Sequence, residues 1–176
     1  MDNPDKLKRF EQAVLPHLDA AHNLARWLAK NAADAEDVTQ EAMLRAFRFF
    51  DGFRGGEARP WLLKIVRNTF YTWREQNRVA AQSSSLAEEA MEIADDSPSP
   101  LELHQQKLDA SLLRETLAAL PDEFREVLTL RELEDCSYKE IAAIMNIPMG
   151  TVMSRLARAR HQLERLLRQK MAGAQT

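Results

Sequence analysis

Thr151, Ser154, Arg155, Arg158 and Gln162 share one face of the stretch from Met149 to Leu163, with Arg160 and Arg165 at its edges. All of these side chains donate hydrogen bonds. From Met149 to Lys170 the chain carries six basic residues against the single acid Glu164, a local charge of +5 in a chain whose net charge is -3. Small hydroxyl residues at a helix N-terminus, followed a turn later by arginines, suit a helix laid in a DNA major groove. The first turn approaches base edges and phosphates, and the long cations hold the backbone. A merely solvated basic face is the plain alternative, and the residues just upstream weigh against it. Ser137 and Glu140 have the spacing of a capping box, Ile141, Ala142 and Met145 give an apolar face, and Asn146-Ile147-Pro148 ends the helix. The next helix buries Val152, Leu156, Ala159 and Leu163 at spacings of four, three and four. Two short helices around a tight turn, the second one basic, predict a helix-turn-helix.

A second group of candidate residues lies upstream. Eight of the chain's twelve aromatic residues fall between Phe47 and Trp73, and between Arg54 and Arg78 six cations face only Glu57 and Glu75. Aromatic faces that bases stack on, beside cations that follow phosphates, hold single-stranded nucleic acid. Trp61, Leu62, Ile65 and Val66 read as a buried helix face, and Phe47 and Phe50 as packing. Phe53-Arg54-Gly55-Gly56-Glu57-Ala58-Arg59 reads as a loop able to approach a ligand with its backbone, with Pro60 as the first residue of the helix that follows. An extruded base fits there, read by the loop backbone and by the Asn68 amide, which both donates and accepts.

The elements that position these groups are helical throughout. Asp2 to Lys30 carries an apolar 3.6-residue period that Pro16 kinks or divides, and Asn31 to Asp34 is expected to turn. Asp34 is the expected N-cap of a long helix whose first turns hold Glu36, Asp37 and Glu41, where the helix dipole favours negative charge. Asp37, Gln40, Glu41 and Leu44 then form a row at i, i+3, i+4 and i+7. An apolar leucine in an otherwise acidic row marks a docking surface for a basic helical partner, against a background of ordinary capping and solvated acids. Residues 80–105 hold six acids, no lysine or arginine, a run of three serines and Ser97-Pro98-Ser99-Pro100. That composition is a linker, with Leu86 to Ile93 as a transient helix at most. It joins a front block, 1–79, with 13 basic and 11 acidic residues to a back block, 106–176, with 11 and 10. The strap is read as inert spacing, with occupation of a basic channel as the alternative.

In the back block Leu108, Leu112, Leu113, Leu117 and Leu120 keep a helical period. Pro121 opens a further helix with Phe124, Val127, Leu128 and Leu130 or Leu133 as its core face. The expected fold is therefore all-α: two small helical domains joined by a flexible acidic linker, the C-terminal one a four-helix helix-turn-helix module. With no run of eighteen apolar residues and no basic-then-apolar leader, neither membrane insertion nor export is expected, and the setting is read as cytoplasmic. The single cysteine, Cys136, reads as a core residue, and the four histidines lack ligand spacing. No cofactor is expected. Nor is an enzyme, since no glycine-rich phosphate loop, metal-ligand cluster or nucleophile with a paired base is found.

Three motifs, DAEDVTQEAMLRAFRFFDGFRG, then PWLLKIVRN, then LPDEFREVLTLRELEDCSYKEIAAIMNIPMGTVMSRLARAR, resemble in order and separation a bacterial RNA polymerase sigma factor of the extracytoplasmic-function (ECF) group. The resemblance runs from about Phe10 to Leu167. It implies that Asp37, Gln40, Glu41, Leu44 and Arg45 dock on the clamp coiled coil of core RNA polymerase. It further implies that Phe53, Arg54, Arg59, Lys64, Arg67 and Asn68 bind the minus-ten element and trap a flipped base, and that Thr151, Ser154, Arg155, Arg158 and Arg160 bind the minus-thirty-five element as duplex. An anti-sigma factor is an implied partner, and the linker would thread toward the RNA exit channel. Met153 stands where many relatives carry a cation, which implies one phosphate contact fewer. Two other readings compete: a free-standing regulator using only the back block, and a sigma-like decoy that binds an anti-sigma protein and no DNA.

Overall fold

The computed structural model describes residues 4–83 and 104–173, and side chains over 4–81 and 110–173. Leu86 to Ile93 and the Ser-Pro run lie outside the described residues. Among the described residues eight α-helices follow one another: α1 Pro4–Val14, α2 Leu18–Ala29, α3 Ala32–Phe49, α4 Ala58–Ser83, α5 His104–Ala119, α6 Asp122–Leu128, α7 Tyr138–Met145 and α8 Met149–Gly173. Among the described residues there is no strand, as the hydrophobic periods require. No helix among them is long and apolar enough to cross a membrane.

The front helices form where local chemistry ends one and starts the next. Pro16 sits in a 3-10 turn, Leu15–His17, that divides α1 from α2, because proline lacks the N–H that a continuous helix needs. Lys30 closes α2 in the left-handed region at φ 61, its N–H donating to the Arg26 carbonyl at 3.0 Å. The N-cap of α3 is Asn31 and not Asp34. Asn31 Oδ1 accepts from the N–H groups of Ala33 at 2.8 Å and Asp34 at 3.1 Å. An asparagine can satisfy both donors, so the helix starts three residues early and Asp34 falls in its first turn. Ala35, Val38, Ala42 and Ala46 of α3 pack on Leu24 and Leu28 of α2 and Leu62, Leu63, Val66 and Phe70 of α4, all buried. Phe10 seals one end, edge-on to Phe47 and Phe50 with ring centroids 5.2 and 5.5 Å away.

In the back module the Ser137–Glu140 capping box forms as expected, with Glu140 N–H donating to Ser137 Oγ at 3.1 Å and Ser137 N–H to Glu140 Oε2 at 3.3 Å. Asn146 ends α7 in the left-handed conformation at φ 55, and α8 begins three residues later. Val152, Leu156 and Ala159 are buried against α6 and α7, while Leu163 is only half-buried near the end of the stripe. Leu130 joins the core and Leu133 is exposed, because α6 runs on into a π turn, Thr129–Leu133, whose extra residue swings Leu133 outward. Two helix ends reach past the compositional blocks, with α4 continuing to Ser83 and α5 starting at His104.

The two modules are packed on each other. α2 and α4 meet α6, the π turn and α7, and one apolar cluster runs through both.

Candidate nucleic-acid interface

On α8, Ser154 and Arg158 are exposed, and Thr151 and Arg155 are half-buried. Ser154 Oγ donates to the Thr151 carbonyl at 3.2 Å. Arg155 reaches Glu123 at 3.8 Å, and Arg160 donates twice to Glu132 Oε1, at 3.2 Å from Nε and 2.8 Å from Nη2. The hydrogen bonds from Arg160 to Glu132 raise the Arg160 pKa further. Met149 and Met153, 48 and 54% exposed, add apolar thioethers to the same N-terminal turns.

The upstream residues split into two groups. Arg54, Lys64 and Asn68 are exposed. Gly55 and Gly56 hold φ of 84 and 90, a region where a Cβ is strained, and no atom lies within 4 Å of the added Cβ; the turn needs glycine for its backbone angles and not for space. Pro60 is the third residue of α4, whose helix starts at Ala58. Phe53 packs inward, 5.8 Å from Phe50 and 5.0 Å from Trp61, so its ring face is engaged by protein.

Arg59 and Arg67 point instead at the back module. Arg67 pairs with Glu126, which is 1% exposed and also accepts from Tyr71 Oη at 2.8 Å. Arg74 pairs with Asp122, and Arg59 Nη2 lies 3.8 Å from Cys136 Sγ. Arg67, Tyr71 and Arg74, at i, i+4 and i+7, make one stripe of α4, with both guanidinium groups stacked near the Tyr71 ring at 4.8 and 4.9 Å. Arg125, 1% exposed, crosses the other way. It donates from Nε to the Trp27 carbonyl at 2.9 Å, from Nη1 to the Leu120 carbonyl at 3.0 Å and from Nη2 to Asp122 at 2.5 Å.

The ionisation of these groups follows from the packing. Burial pushes the Glu126 carboxyl up against the opposing pull of Arg67 and Tyr71. Burial and the Glu126 charge raise the Tyr71 hydroxyl. At Asp122 burial acts upward too, but hydrogen bonds from Arg125 and Arg74 outweigh it and hold the carboxyl below its ordinary value. Burial pushes the Cys136 thiol up to about 11, keeping it neutral. Sequence reasoning missed Tyr71, Arg74, Asp122, Arg125 and Glu126. The α4 stripe was the available signal, since three side chains at that spacing must share a face.

The α3 row is free of the back module. Asp37, Gln40, Glu41 and Leu44 are exposed, Leu44 at 63%, and Arg45 is tied only to Glu41, one turn away at 3.1 Å. Beside the row lies an open groove of about 850 Å³ between α1, α2 and α3, lined by Leu7, Leu15, Leu18, Met43 and Leu44 with Asp19 and Glu36 among its polar groups. Among the described residues no cluster of His, Cys, Asp or Glu could hold a metal ion.

Residues 13–79 match the Sigma-70 region 2 family, and residues 110–163 match Sigma-70, region 4. The ECF RNA polymerase sigma factor SigE of Mycolicibacterium smegmatis is 35% identical over 156 residues, 88% of this chain and 60% of that protein. The chain thus spans less than two thirds of the mycobacterial relative. The ECF RNA polymerase sigma-E factor of Haemophilus influenzae is 36% identical over 149 residues, 80% of this chain and 77% of that protein. Among solved structures, the sigma factor RpoE of Bartonella quintana, in complex with the anti-sigma factor NepR, superposes with a TM-score of 0.77 at 30% identity, covering 92% of this chain and 98% of that one. The fold is shared as well by CnrH, solved with the cytosolic domain of CnrY, at a TM-score of 0.64 and 24% identity over 92% of this chain and 88% of that one. With both regions present in order and relatives of this identity matched over most of their length, the chain belongs to the ECF sigma factors of RNA polymerase.

Proposed function

We propose that this protein is a promoter-specificity subunit, working with core RNA polymerase in the cytoplasm as a binding subunit and not as an enzyme. The front block, 1–79, docks on the polymerase and handles the minus-ten element. The back block, 106–176, reads the minus-thirty-five element, and residues 80–105 connect them. The observation that carries this reading is the pairing, in one chain, of a helix-turn-helix with an outward hydroxyl and arginine face and a second module bearing Arg54, Lys64 and Asn68 in the open beside a glycine turn. A lone helix-turn-helix regulator would have no use for the second set, and a decoy for neither.

On this reading Asp37, Gln40, Glu41, Leu44 and Arg45 meet a basic amphipathic helix of the polymerase, with the neighbouring groove taking apolar side chains. Arg54, Lys64 and Asn68 engage the melted strand, and the energy of unstacking a base, a few kcal/mol, is offset by the pocket that receives it. Thr151, Ser154, Arg155 and Arg158 hold the upstream duplex, while Met149 and Met153 present apolar groups suited to thymine methyls. By analogy with the Bartonella RpoE–NepR complex, an anti-sigma factor holds the protein in reserve.

Run-off transcription with core polymerase on fragments of the source genome tests the reading. Specific initiation is expected, with Asn68→Ala impairing strand opening more than initial binding and Arg155→Ala weakening recruitment. No initiation from any fragment would refute the function, and both variants matching the parent on weak promoters would refute these site roles.

A further inference from the structure

Eight aromatic residues lie between Phe47 and Trp73, and the fold uses seven of them as packing. The eighth, Phe49, is 58% exposed and stands outside that apolar cluster. Among the described residues no other ring and no cation is seated on its ring, whereas Phe47 carries Lys6 at 4.8 Å and Phe53 is held between Phe50 and Trp61. A single exposed phenylalanine is common on soluble proteins and means little by itself. The setting gives this one a use. Phe49 is the last residue of α3, and the 3-10 turn Phe50–Gly52 follows at once, closed by Phe53 N–H donating to the Phe50 carbonyl at 2.9 Å. The chain then enters the glycine turn, with Arg54 at most ~17 Å of chain from Phe49 at about 3.4 Å per residue. Arg48 and Arg54 are both exposed, and the acid between them, Asp51, is already paired with Lys6 at 2.9 Å. An open ring flanked by two cations offers a base its face and the adjoining phosphates their counter-charge. The same surroundings disfavour the other available occupant, a helix of the polymerase. Phe49 lies four residues beyond Arg45, at the end of the docking row. That row draws a basic partner through Asp37 and Glu41, whereas Arg48 and Arg54 repel one.

We infer that Phe49 is a stacking platform for an unpaired base of the melted strand, a position next to the extruded-base site formed by the glycine turn and Asn68. Phe53, whose ring is engaged by Phe50 and Trp61, does not supply this face. The inference rests on the function proposed above and adds a binding residue to it. Because every base has a π-face, the platform strengthens the hold on open DNA without choosing a sequence.

The experiment uses the full chain with core polymerase on a promoter fragment found by run-off transcription, its melted stretch made non-complementary. An abasic nucleotide is moved along each strand of that bubble. At one position, loss of the base is expected to weaken binding about tenfold. Phe49→Leu keeps the apolar bulk and removes the π-face, and is expected to weaken the intact bubble by the same factor. Together the two changes are expected to weaken binding no more than either does separately, as for groups that act on each other. Phe49→Trp restores the parent's affinity. Thermal unfolding, and binding to core polymerase without DNA, are expected to match the parent for both variants, since the side chain lies outside the core. A Phe49→Leu variant that binds the bubble as the parent does, or whose loss adds to that of every abasic position, overturns the inference. Weaker binding to core polymerase without DNA assigns the ring to the docking row and overturns it too. A parent that initiates from no fragment overturns the function beneath, and the inference with it.

Discussion

Two surfaces of the front module meet opposite fates. The α3 row keeps Gln40, Glu41 and Leu44 in solvent, and its one ion pair, Glu41–Arg45, is local. The α4 stripe of Arg67, Tyr71 and Arg74 is covered by the back module, and its partners lie 48 to 59 residues away in sequence. Both surfaces carry charge. What separates them is the chemistry opposite: among the described residues the acids beside the exposed leucine pair only within their own helix, at Glu41–Arg45, whereas cations flanked by an aromatic ring find Asp122 and Glu126 of the other module.

The most disruptive way to break this contrast is to remove the cover. Leu156→Asp buries a carboxylate with no partner, at a cost of several kcal/mol, comparable with the stability of a small domain. Circular dichroism is expected to show loss of the back helices, while polymerase binding through α3 survives. Arg125→Ala is expected to destabilise by at least ~2 kcal/mol, since it leaves the Trp27 and Leu120 carbonyls without their donor at about 1–3 kcal/mol each, while Asp122 keeps Arg74. Denaturant unfolding measures that loss, and a change below 1 kcal/mol would mean that Arg125 does not hold the modules together. Leu44→Asp should alter stability by less than ~0.5 kcal/mol, yet weaken polymerase binding about tenfold or more, as truncation of a central apolar anchor does. Equal affinity in a pull-down titration would move the docking surface elsewhere.

A subtler probe is pH. Asp122 is held below its ordinary value, so its contribution is present above the usual carboxylate range and is lost as pH falls through the depressed value. Glu126 is raised, so its contribution is complete below the usual carboxylate range and is lost as pH rises through the raised value. Facing Glu126 are Arg67 and Tyr71 from α4, with the charge of Arg155 on α8. Unfolding stability is therefore expected to peak on the acid side of neutrality. Glu126→Gln should weaken the decline on the alkaline limb, leaving the part due to the raised Glu134, and keep the acid limb in place. The smallest effect is expected from Met153→Lys, which adds one phosphate contact and should steepen the salt dependence of upstream DNA binding by about one unit.

How much of this was legible in the residues depends on how far apart the cooperating groups lie. The capping box, the turn at Asn146 and the stripe Val152-Leu156-Ala159 are local, and their periods gave the helix-turn-helix directly. Asp34 was the wrong cap because Asn31 caps three residues earlier, accepting from the N–H groups of Ala33 and Asp34, and a competition between two good caps is settled by backbone geometry. Arg125 and Glu126 lie between the half-buried Phe124 and the core residue Val127, and charged residues there read as a solvated face. Their burial depends on Trp27, Arg67 and Tyr71, about 55 to 98 residues away, which leave no periodic trace. Arg67 stands beside Asn68 and was grouped with it, yet the two lie 100° apart around α4 and face different neighbours.

The wide turn at Thr129–Leu133 sets the angular phase of everything downstream. Its i→i+5 bond, Glu134 N–H to the Thr129 carbonyl at 3.0 Å, accommodates one residue more than an ordinary helical turn. Deleting a single residue there would restore ordinary winding and rotate α7 and α8 by about a quarter of a revolution relative to α6, misaligning Glu123 with Arg155 without altering any residue of the recognition helix.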